Sequence, residues 1–419
     1  MESIGREALR APARVAEIEL SSLRTAAELD VEGYETLWCL TRNHGLPLAI
    51  SFWDVRGDRT VAPSAVADQL PAIHEIDTDV DDDPHAPARI SAQVNADEDV
   101  AVTVAICTHE RPDDLRRALT SLAEQHDTKF RTLVVDNAPR SRATADVVEE
   151  VRLSDCDYLI EPQKGLSRAR NTALAHITSD HVAWFDDDEM ADPDWISRLK
   201  QGFRHASRPA AVCGLMLPAE LETRAQILFE QYGGFNKGRG LSPEVLTRNS
   251  PSVISPLYPL PAIGSGGNMA FRTESLLSAG GFDSDLGAGT RTHGGEETKM
   301  FCTLLRSNQT ILHWPAAITW HVHRREMDQL RKQFYGYSAG LSAFYASMIR
   351  SDPTVVSDIV RLIPHALRDL GLREGGTRLQ QLPEDFPKEL LDAGRRGLAA
   401  GAFSYVAEAL RDRFGGWRV

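Results

Sequence analysis

The sequence predicts an α/β fold in which helices cover both faces of a mostly parallel sheet, with a β-rich segment before it and helices after it. From about residue 100, short apolar segments alternate with stretches whose leucines recur at helical spacing. Residues 102–107 and 181–185 are apolar almost throughout, which is typical of strands buried on both faces. Because ligands of such sheets bind beyond the carboxyl ends of the strands, polar residues that follow these strands are the first candidates for a site.

The N-terminal segment reads mostly as strands. Residues 34–40 and 47–55 flank a turn-like cluster at 42–45, and this pattern predicts a hairpin. Residues 74–100 are rich in Asp, Pro and Ala, which favours an acidic linker. The aspartates at 81–83 follow no buried strand, so we assign them no chemistry.

Beyond residue 100 the predicted order is strand, helix, strand. A helix begins at Pro112 and carries leucines at helical spacing, Leu115, Leu119 and Leu122. Further strands are predicted at 130–135, 158–160 and 181–185, and further helices at 143–151, 166–177, 327–350 and 398–414. The chain is therefore expected to comprise a β-rich domain with its linker (1–97), an α/β domain (98–325) and a helical region (326–419).

Composition and charge exclude several classes of protein. The net charge of −14 argues against nucleic acid as the main partner. No apolar run reaches the length of about 18 residues that spans a bilayer, and the polar N-terminus lacks the apolar core of a signal peptide. The five scattered cysteines suggest neither a zinc site nor a disulfide framework. We expect a cytoplasmic protein, with peripheral contact at the inner face of the membrane left open.

Three adjacent carboxylates, Asp186, Asp187 and Asp188, close the apolar strand at 181–185. Like charges at the end of a buried strand repel one another unless a cation or hydrogen-bond donors offset them. The alternative is a solvated turn that caps the following helix. Asp136 also falls at a strand end, so one crevice can hold all four carboxylates.

Five short motifs follow one another in a recognisable order. They are ICTHERP (106–112), VVDN (134–137), KGLSRARN (164–171), DDD (186–188) and GGEE (294–297). In order and spacing they resemble the motifs of family 2 glycosyltransferases, which have the GT-A fold and a DXD metal motif. The resemblance covers roughly 100–325. It implies a GT-A core that transfers a sugar from a nucleotide-diphosphate donor, a UDP-sugar being expected.

The resemblance also implies a divalent cation, Mn²⁺ or Mg²⁺. Carboxylates are the ligands that such a cation prefers. Asp188 would bind it directly, while Asp186 would face the ribose and the role of Asp187 stays open. His321 and His323 follow a predicted strand, and residues two apart share a face of a strand. Either histidine is a candidate for the metal shell, with a preference for His323, and a purely structural role is the alternative.

Further candidates concern the nucleotide. Asp136 can accept from the N3–H of a uracil-type base or form an Asx-turn, or do both. Thr108 would contact the same base through its backbone, and the resemblance adds Glu110 and Arg111 from the same loop. Arg170, followed by Asn171, begins a helix and is suited to clamp phosphate, although an ordinary charged helix face is the alternative.

Asn268 lies in a glycine-rich segment, residues 263–271, where it can bind a sugar hydroxyl or the diphosphate; a bulged strand is the other interpretation. Glu296 and Glu297 are the candidate bases for an inverting transfer. The family usually has Glu-Asp here, so Glu297 adds one methylene. We favour Glu297, while the helix dipole alone would also favour acidic residues at this position.

Two other functions stay open at this level. A nucleotidyltransferase shares the sheet and the carboxylate-held cation, but the loop at 108–111 lacks its glycines. A non-catalytic sugar-nucleotide scaffold is the other. The acceptor is unknown and can be a saccharide, a lipid-linked or a small molecule. Aromatic residues of the C-terminal helices would cover the acceptor or lie on a membrane, and the N-terminal domain offers a surface for oligomerisation.

Overall fold

The computed structural model describes residues 2–70, 100–235, 239–259, 263–369 and 382–414. The predicted acidic linker at 74–100 lies outside the described residues, apart from Val100. None of the helices in these ranges is long and apolar enough to cross a bilayer.

The N-terminal segment folds into a four-stranded and a two-stranded sheet. Its elements are β1 (Glu2–Ser3), β2 (Ala13–Glu19), β3 (Leu29–Asp30), β4 (Thr36–Asn43), β5 (Leu46–Asp54), β6 (Thr60–Val61) and α1 (Pro63–Ala67), with 3₁₀ turns at Arg6–Ala8 and Leu20–Thr25. The predicted hairpin is β4–β5, and its turn is narrower than expected. His44 and Gly45 have φ of 50° and 74°, as the twist of a two-residue hairpin turn requires.

A nine-stranded sheet forms the centre of the molecule. Its strands are β7 (Val102–Thr108), β8 (Arg131–Asn137), β9 (Cys156–Glu161), β10 (His181–Trp184), β11 (Glu189–Ala191), β12 (Ala211–Pro218), β13 (Glu244–Leu246), β14 (Met269–Arg272) and β15 (Ile311–His321). They lie in the order β11-β15-β12-β14-β10-β7-β8-β9, with β13 on β15. Strands β10, β7, β8 and β9 run parallel, so their carboxyl ends share one edge.

Helices cover both faces of this sheet. They are α2 (Pro112–Ala123), α3 (Ala143–Val151), α4 (Leu166–His176), α5 (Trp195–Phe203), α6 (Arg224–Gln231), α7 (Thr273–Ser278) and α8 (Glu296–Arg306). Side chains of α2, α3 and α5 pack in one core, and those of α4, α7 and α8 in another. Leu115, Leu119 and Leu122 are all buried as predicted, which stabilises the fold by about 2 kcal/mol for each side chain. The predicted α/β architecture is confirmed.

The C-terminal region consists of α9 (Met327–Ser351), a 3₁₀ turn (Pro353–Val355), α10 (Val356–Asp369) and α11 (Lys388–Phe414). Both predicted helices are present, and the second begins earlier than expected, at Lys388. Phe334 of α9 packs with Phe386 and Leu390, so the two long helices share a core. Together they lie over the carboxyl edge of the central sheet, where α9 also contacts α8.

The N-terminal sheet packs on the central sheet of its own chain. Trp38 of β4 shares a core with Leu217 of β12 and Ile318 of β15. Beside this core, the Arg42 guanidinium donates to Asp192 Oδ2 at 2.6 Å, and both groups are buried. One face of the sheet is thus covered by the chain itself, and oligomerisation through this segment stays a prediction, as do the three domain bounds.

A buried carboxylate joins the C-terminal helices to the central domain. Asp283, in the loop after α7, accepts from Lys299 of α8 at 2.8 Å, Ser347 of α9 at 2.5 Å and Tyr405 of α11 at 3.0 Å. Burial alone would raise the pKa of Asp283, but Lys299 and the hydroxyl donors outweigh it and lower the pKa to about 2.

Asp283→Asn is therefore expected to reduce the free energy of unfolding by roughly 2 to 3 kcal/mol at pH 7, because an unfolded aspartate titrates near about 3.9. The folded pKa is the lower one, so the contribution of Asp283 is complete above about pH 4. It is lost as the pH falls toward about 2, where the wild type and the variant should converge. Urea unfolding between pH 7 and pH 3 measures the difference. Asp358→Asn, which breaks only an exposed pair with Arg361, is the control; a difference that persists unchanged at low pH would contradict the assignment to the Asp283 charge.

Candidate active site

A cavity of about 1000 Å³ opens at the carboxyl edge of the sheet, under α9 and α11. Six of the predicted site residues line it, namely Arg170, Asp186, Asp188, Glu296, Glu297 and His321. The strand end after β10 supplies two of them, α4 and α8 supply three and the end of β15 supplies the last. The topology thus brings chain segments from residue 170 to residue 321 to one site.

The three aspartates take different environments. Asp186 is 38% exposed at its side chain and faces the cavity. Asp187 points away from it and is bound by Thr108 Oγ1 at 2.7 Å and Arg111 Nη1 at 2.6 Å. Burial raises the pKa of Asp187 to about 7, against the opposing charge of Arg111.

Three basic side chains lie close to Asp188. Its Oδ2 accepts from Arg111 Nη2 at 3.0 Å and lies 3.4 Å from Arg324 Nη2 and 3.5 Å from His321 Nε2. Burial opposes its ionisation, but these partners outweigh burial and hold the pKa of Asp188 far below its usual range. Asp188 is therefore the carboxylate of the triplet that stays charged at any pH of interest.

Glu189 is a fourth carboxyl group behind the triplet. It is 1% exposed, and neither of its oxygens has a hydrogen-bond partner in the described residues. Burial, and then the charge of Asp186, raise its pKa well above the usual range. Gly267 leaves room for it, because a Cβ there would overlap Glu189 Oε1. Glu189 directly follows the triplet in the sequence, and this position could have indicated it as a site residue, but the sequence analysis did not include it.

Arg170 connects the two acidic sides of the cavity. Its guanidinium is 1% exposed, donates to Glu296 Oε1 at 3.0 Å and to the Gly266 carbonyl at 3.0 Å, and lies 3.7 Å from Asp186. It also stacks near the Trp184 ring, 5.7 Å from its centroid. The guanidinium therefore interacts with protein groups on both sides, and Arg170 sets the distance between Asp186 and Glu296.

The two glutamates at the start of α8 differ strongly. Glu296 is 5% exposed and bound by Arg170, while its Oε2 is buried without a partner in the described residues. Burial, and then the charge of Glu297, raise the pKa of Glu296 to about 8 despite Arg170. Glu297 faces the cavity and is half-buried. The preceding Gly295, at φ 94°, lets α9 approach closely, because a Cβ would meet the Gly340 carbonyl at 2.5 Å.

The two histidines are in contact, but they do not share one exposed face. β15 ends at His321, so the predicted alternation stops there. His321 lines the cavity beside Asp188, whereas His323 does not line it and lies 2.8 Å from His321, Nδ1 to Nδ1. Burial lowers the pKa of His323. The preference for His323 as a metal ligand is therefore corrected in favour of His321.

The nucleotide candidates at the ends of β7 and β8 lie outside the cavity. Asp136 is fully buried, with Oδ2 bound by the Tyr158 hydroxyl at 2.8 Å and Oδ1 without a partner in the described residues. Burial raises its pKa, opposed by Tyr158. Thr108 and Arg111 bind the triplet through their side chains, and Glu110 accepts from the Arg140 backbone N–H at 2.7 Å.

Two predicted residues are placed elsewhere. Asn268 is fully buried and does not face the cavity, since its amide bonds the carbonyls of Leu215 and Ala317 and accepts from Trp195. These hydrogen bonds connect β12 to β15, and Asn268 does not line the cavity. Asn171 uses both side-chain atoms on the backbone of Phe282, at 2.8 Å each. Both amides stabilise the frame of the site, which corrects their prediction as binding residues.

The donor set beside the cavity fits a divalent cation. Asp188 Oδ2 and His321 Nε2 lie 3.5 Å apart, and a carboxylate with an imidazole suits Mn²⁺. No group of three or more His, Cys, Asp or Glu side chains is preassembled within the described ranges. Such a cation keeps positions for substrate phosphates, so two protein donors are enough in chemical terms.

Part of the chain is similar to known glycosyltransferases. Residues 103–276 match the family model described as "Glycosyl transferase family 2". A pre-mycofactocin glycosyltransferase of Mycobacterium tuberculosis is 27% identical over 241 residues, 57% of this chain and 46% of that protein. A glucosyl-dolichyl phosphate glucuronosyltransferase of Haloferax volcanii is 25% identical over 255 residues, 57% of this chain and 75% of the relative. This chain thus spans about half the length of its mycobacterial relative.

Among solved structures, a mannosyltransferase from Pyrobaculum calidifontis in complex with GDP-Man and Mn²⁺ aligns with a TM-score of 0.44. It is 18% identical and the alignment covers 78% of this chain and 93% of that one. The family match and the strand order together confirm the predicted GT-A class of the α/β core. Over residues 103–276 this chain is thus similar to family 2 glycosyltransferases.

Proposed function

We propose that this protein transfers a sugar from a nucleotide-diphosphate donor to an acceptor hydroxyl, with a divalent cation and with inversion at the anomeric carbon. One observation carries the proposal: a single cavity has Asp186 and Asp188 on one side and Glu297 on the other, and Arg170 connects the two sides. A leaving diphosphate needs positive charge, whereas an attacking hydroxyl needs a base. Asp186 and Asp188 are suited to hold a cation for the diphosphate, and Glu297 is suited to act as the base.

The leaving-group side contains Asp188 and His321, which would hold the cation, and Arg111 and Arg324 next to them. When bound, a divalent cation supplies charge neutralisation to the diphosphate oxygens. Arg324, which lines the cavity, would add donors for phosphate oxygens as the carbon–oxygen bond breaks, whereas Arg111 already donates to Asp114, Asp187 and Asp188. The bond's electron pair leaves with the diphosphate.

On the acceptor side, Glu297 would act as the base. The acceptor oxygen forms the new bond to the anomeric carbon, and its proton passes to the Glu297 carboxylate. Glu296 is unsuited, because burial raises its pKa to about 8 and its Oε1 already accepts from Arg170. When two neighbouring carboxyl groups lie in different environments, their pKa values differ, and commonly only one of them acts as the base. Attack opposite the leaving group gives inversion.

For the donor nucleotide we propose UDP. The proposal follows from the resemblance of VVDN (134–137) to the family's motif, and Asp136 itself is fully buried outside the cavity. The acceptor would enter beneath α9 and α11, whose side chains Tyr337 and Leu398 line the far wall of the cavity. Its identity as a saccharide, a lipid-linked or a small molecule stays open.

Peripheral membrane contact stays a prediction. Three apolar side chains of α11, Phe403, Val406 and Leu410, are exposed by 80%, 53% and 50% at helical spacing. Such a stripe is suited to an apolar surface of any kind, a lipid surface among them.

A thermal-shift screen tests the proposed donor class. Binding raises the melting temperature by mass action, so at 100 times Kd a UDP-sugar with Mn²⁺ should raise it by roughly 3 °C or more. The same compound in chelator should shift it less, and nucleoside triphosphates without a sugar should not shift it more. A flat response to every nucleotide sugar would contradict the proposed function, and a response to triphosphates alone would favour a nucleotidyltransferase.

A further inference from the structure

Glu230 is a buried carboxylate outside the cavity and outside every motif of the sequence. It lies near the end of α6 and is 6% exposed. Its Oε1 is 3.1 Å from His323 Nε2, and because a carboxylate only accepts, His323 must donate this hydrogen bond from Nε2. Burial opposes the ionisation of Glu230, but His323 and Arg6 outweigh burial and lower its pKa.

The direction of this first hydrogen bond determines the next. A neutral imidazole has one N–H, and that of His323 is directed at Glu230, so the Nδ1 of His323 is an acceptor. The Nδ1 atoms of His323 and His321 are 2.8 Å apart, and His321 must therefore donate from its own Nδ1. In its neutral form His321 then has an unprotonated Nε2, which lies 3.5 Å from Asp188 Oδ2 at the cavity.

The alternative tautomer would be favoured if Glu230 and His323 were absent. An imidazole facing a carboxylate makes its better hydrogen bond by donating, so His321 would place its proton on Nε2, toward Asp188. A protonated Nε2 cannot bind a metal ion, because its lone pair is occupied. The hydrogen-bond partner of His321 Nδ1 therefore decides whether Nε2 donates to Asp188 or is available to bind a metal ion.

Packing fixes both rings in this arrangement. The Phe235 ring lies 4.7 Å from that of His321, and the Phe229 ring lies 4.9 Å from that of His323, both edge-on. His321 and His323 are 5% and 2% exposed. A flip of either ring would break the hydrogen bonds of His321 and His323. Because both rings are buried, water cannot readily replace these bonds, and the flip therefore costs free energy.

We infer that Glu230 and His323 are positioning residues that hold His321 in the tautomer whose Nε2 can bind a divalent cation together with Asp188. The inference rests on the proposed function, which supplies the cation. It extends the site from the cavity to α6, 93 residues before His323 in the sequence.

Glu230→Gln tests the inference, because a glutamine can also donate to His323 and so reverse both hydrogen bonds. Titration of Mn²⁺ in the presence of saturating UDP, followed by the electron paramagnetic resonance of free Mn²⁺, should show an affinity weaker by on the order of 10-fold or more. The matched control is Glu408→Gln on α11, another buried glutamate, which pairs with Arg411 of the same helix and with Arg291. The control should keep the wild-type Mn²⁺ affinity.

A measurement on the wild type tests the inference even if Glu230→Gln does not fold. The ¹⁵N shifts of His321, assigned by their loss in His321→Gln, should show a protonated Nδ1 and an unprotonated Nε2 in the metal-free protein. A protonated Nε2, or equal Mn²⁺ affinities of the wild type and Glu230→Gln, would overturn the inference alone. A wild type that does not bind Mn²⁺ would overturn the proposed cation site, and the inference with it.

Discussion

Glu297→Gln is expected to lower kcat by on the order of 1,000-fold while leaving nucleotide-sugar binding nearly unchanged. The substitution keeps the shape of the side chain and removes only its ability to take a proton. Because Glu297 lies on the acceptor side of the cavity and Asp188 on the other, the loss should appear in the chemical step and not in the affinity for the donor. Single-turnover transfer from a nucleotide sugar, together with calorimetry of donor binding, separates the two quantities.

Glu296→Gln is the matched comparison for this prediction. Its pKa of about 8 places a proton on the carboxyl group near neutral pH, and a glutamine resembles that protonated form. The variant should therefore retain far more activity than Glu297→Gln. If Glu296→Gln were the more damaging substitution, the base would have to be reassigned to Glu296. If neither variant lost activity, the glutamate pair would have no role as a base.

Asp188→Asn is expected to weaken Mn²⁺ binding in the presence of UDP by at least on the order of 100-fold, a larger effect than the loss of an outer partner. Asp188 supplies the negative charge at this point, and its low pKa keeps it ionised. The variant would leave Arg111, Arg324 and His321 without their common carboxylate. Residual nucleotide binding should then become independent of the metal, since the two guanidinium groups still favour phosphate.

Asp187→Asn is the control for Asp188→Asn. Asp187 points to Thr108 and Arg111, outside the cavity, and burial raises its pKa to about 7. Its loss should change Mn²⁺ affinity far less than the loss of Asp188. Calorimetric titration of both variants measures the difference. Equal losses would mean that the triplet acts as a general negative charge, and an unchanged Asp188→Asn would move the cation site elsewhere.

Periodicity and strand ends predicted the frame of the molecule well, for a physical reason. Parallel strands buried on both faces are mostly apolar, as Val102–Thr108 and His181–Trp184 are, and their carboxyl ends meet at one edge. The sequence therefore predicts that the acidic residues after β10 lie at this edge. The amphipathic helix from Pro112 was equally readable, because its leucines recur on one face.

Side-chain direction was less predictable. Asn268 and Asn171 stand in motifs next to the site, yet both amides bond backbone groups of distant segments. Arg170 was expected to face phosphate, but it is buried between Glu296 and Asp186. A pattern of residue types shows which chemistry is available, whereas the hydrogen-bond partners that compete for a side chain come from other parts of the chain.

The carboxylates at strand ends, the glutamate pair at a helix start and the α/β order of elements were determined by the sequence alone, because each depends on neighbours within a few residues. Only the tertiary structure decided that His321 and not His323 faces the cavity, and that His323 contacts Glu230. The cause is distance along the chain. Glu230 and His323 are 93 residues apart and meet only after α6 packs beside the end of β15, a contact that no local pattern encodes.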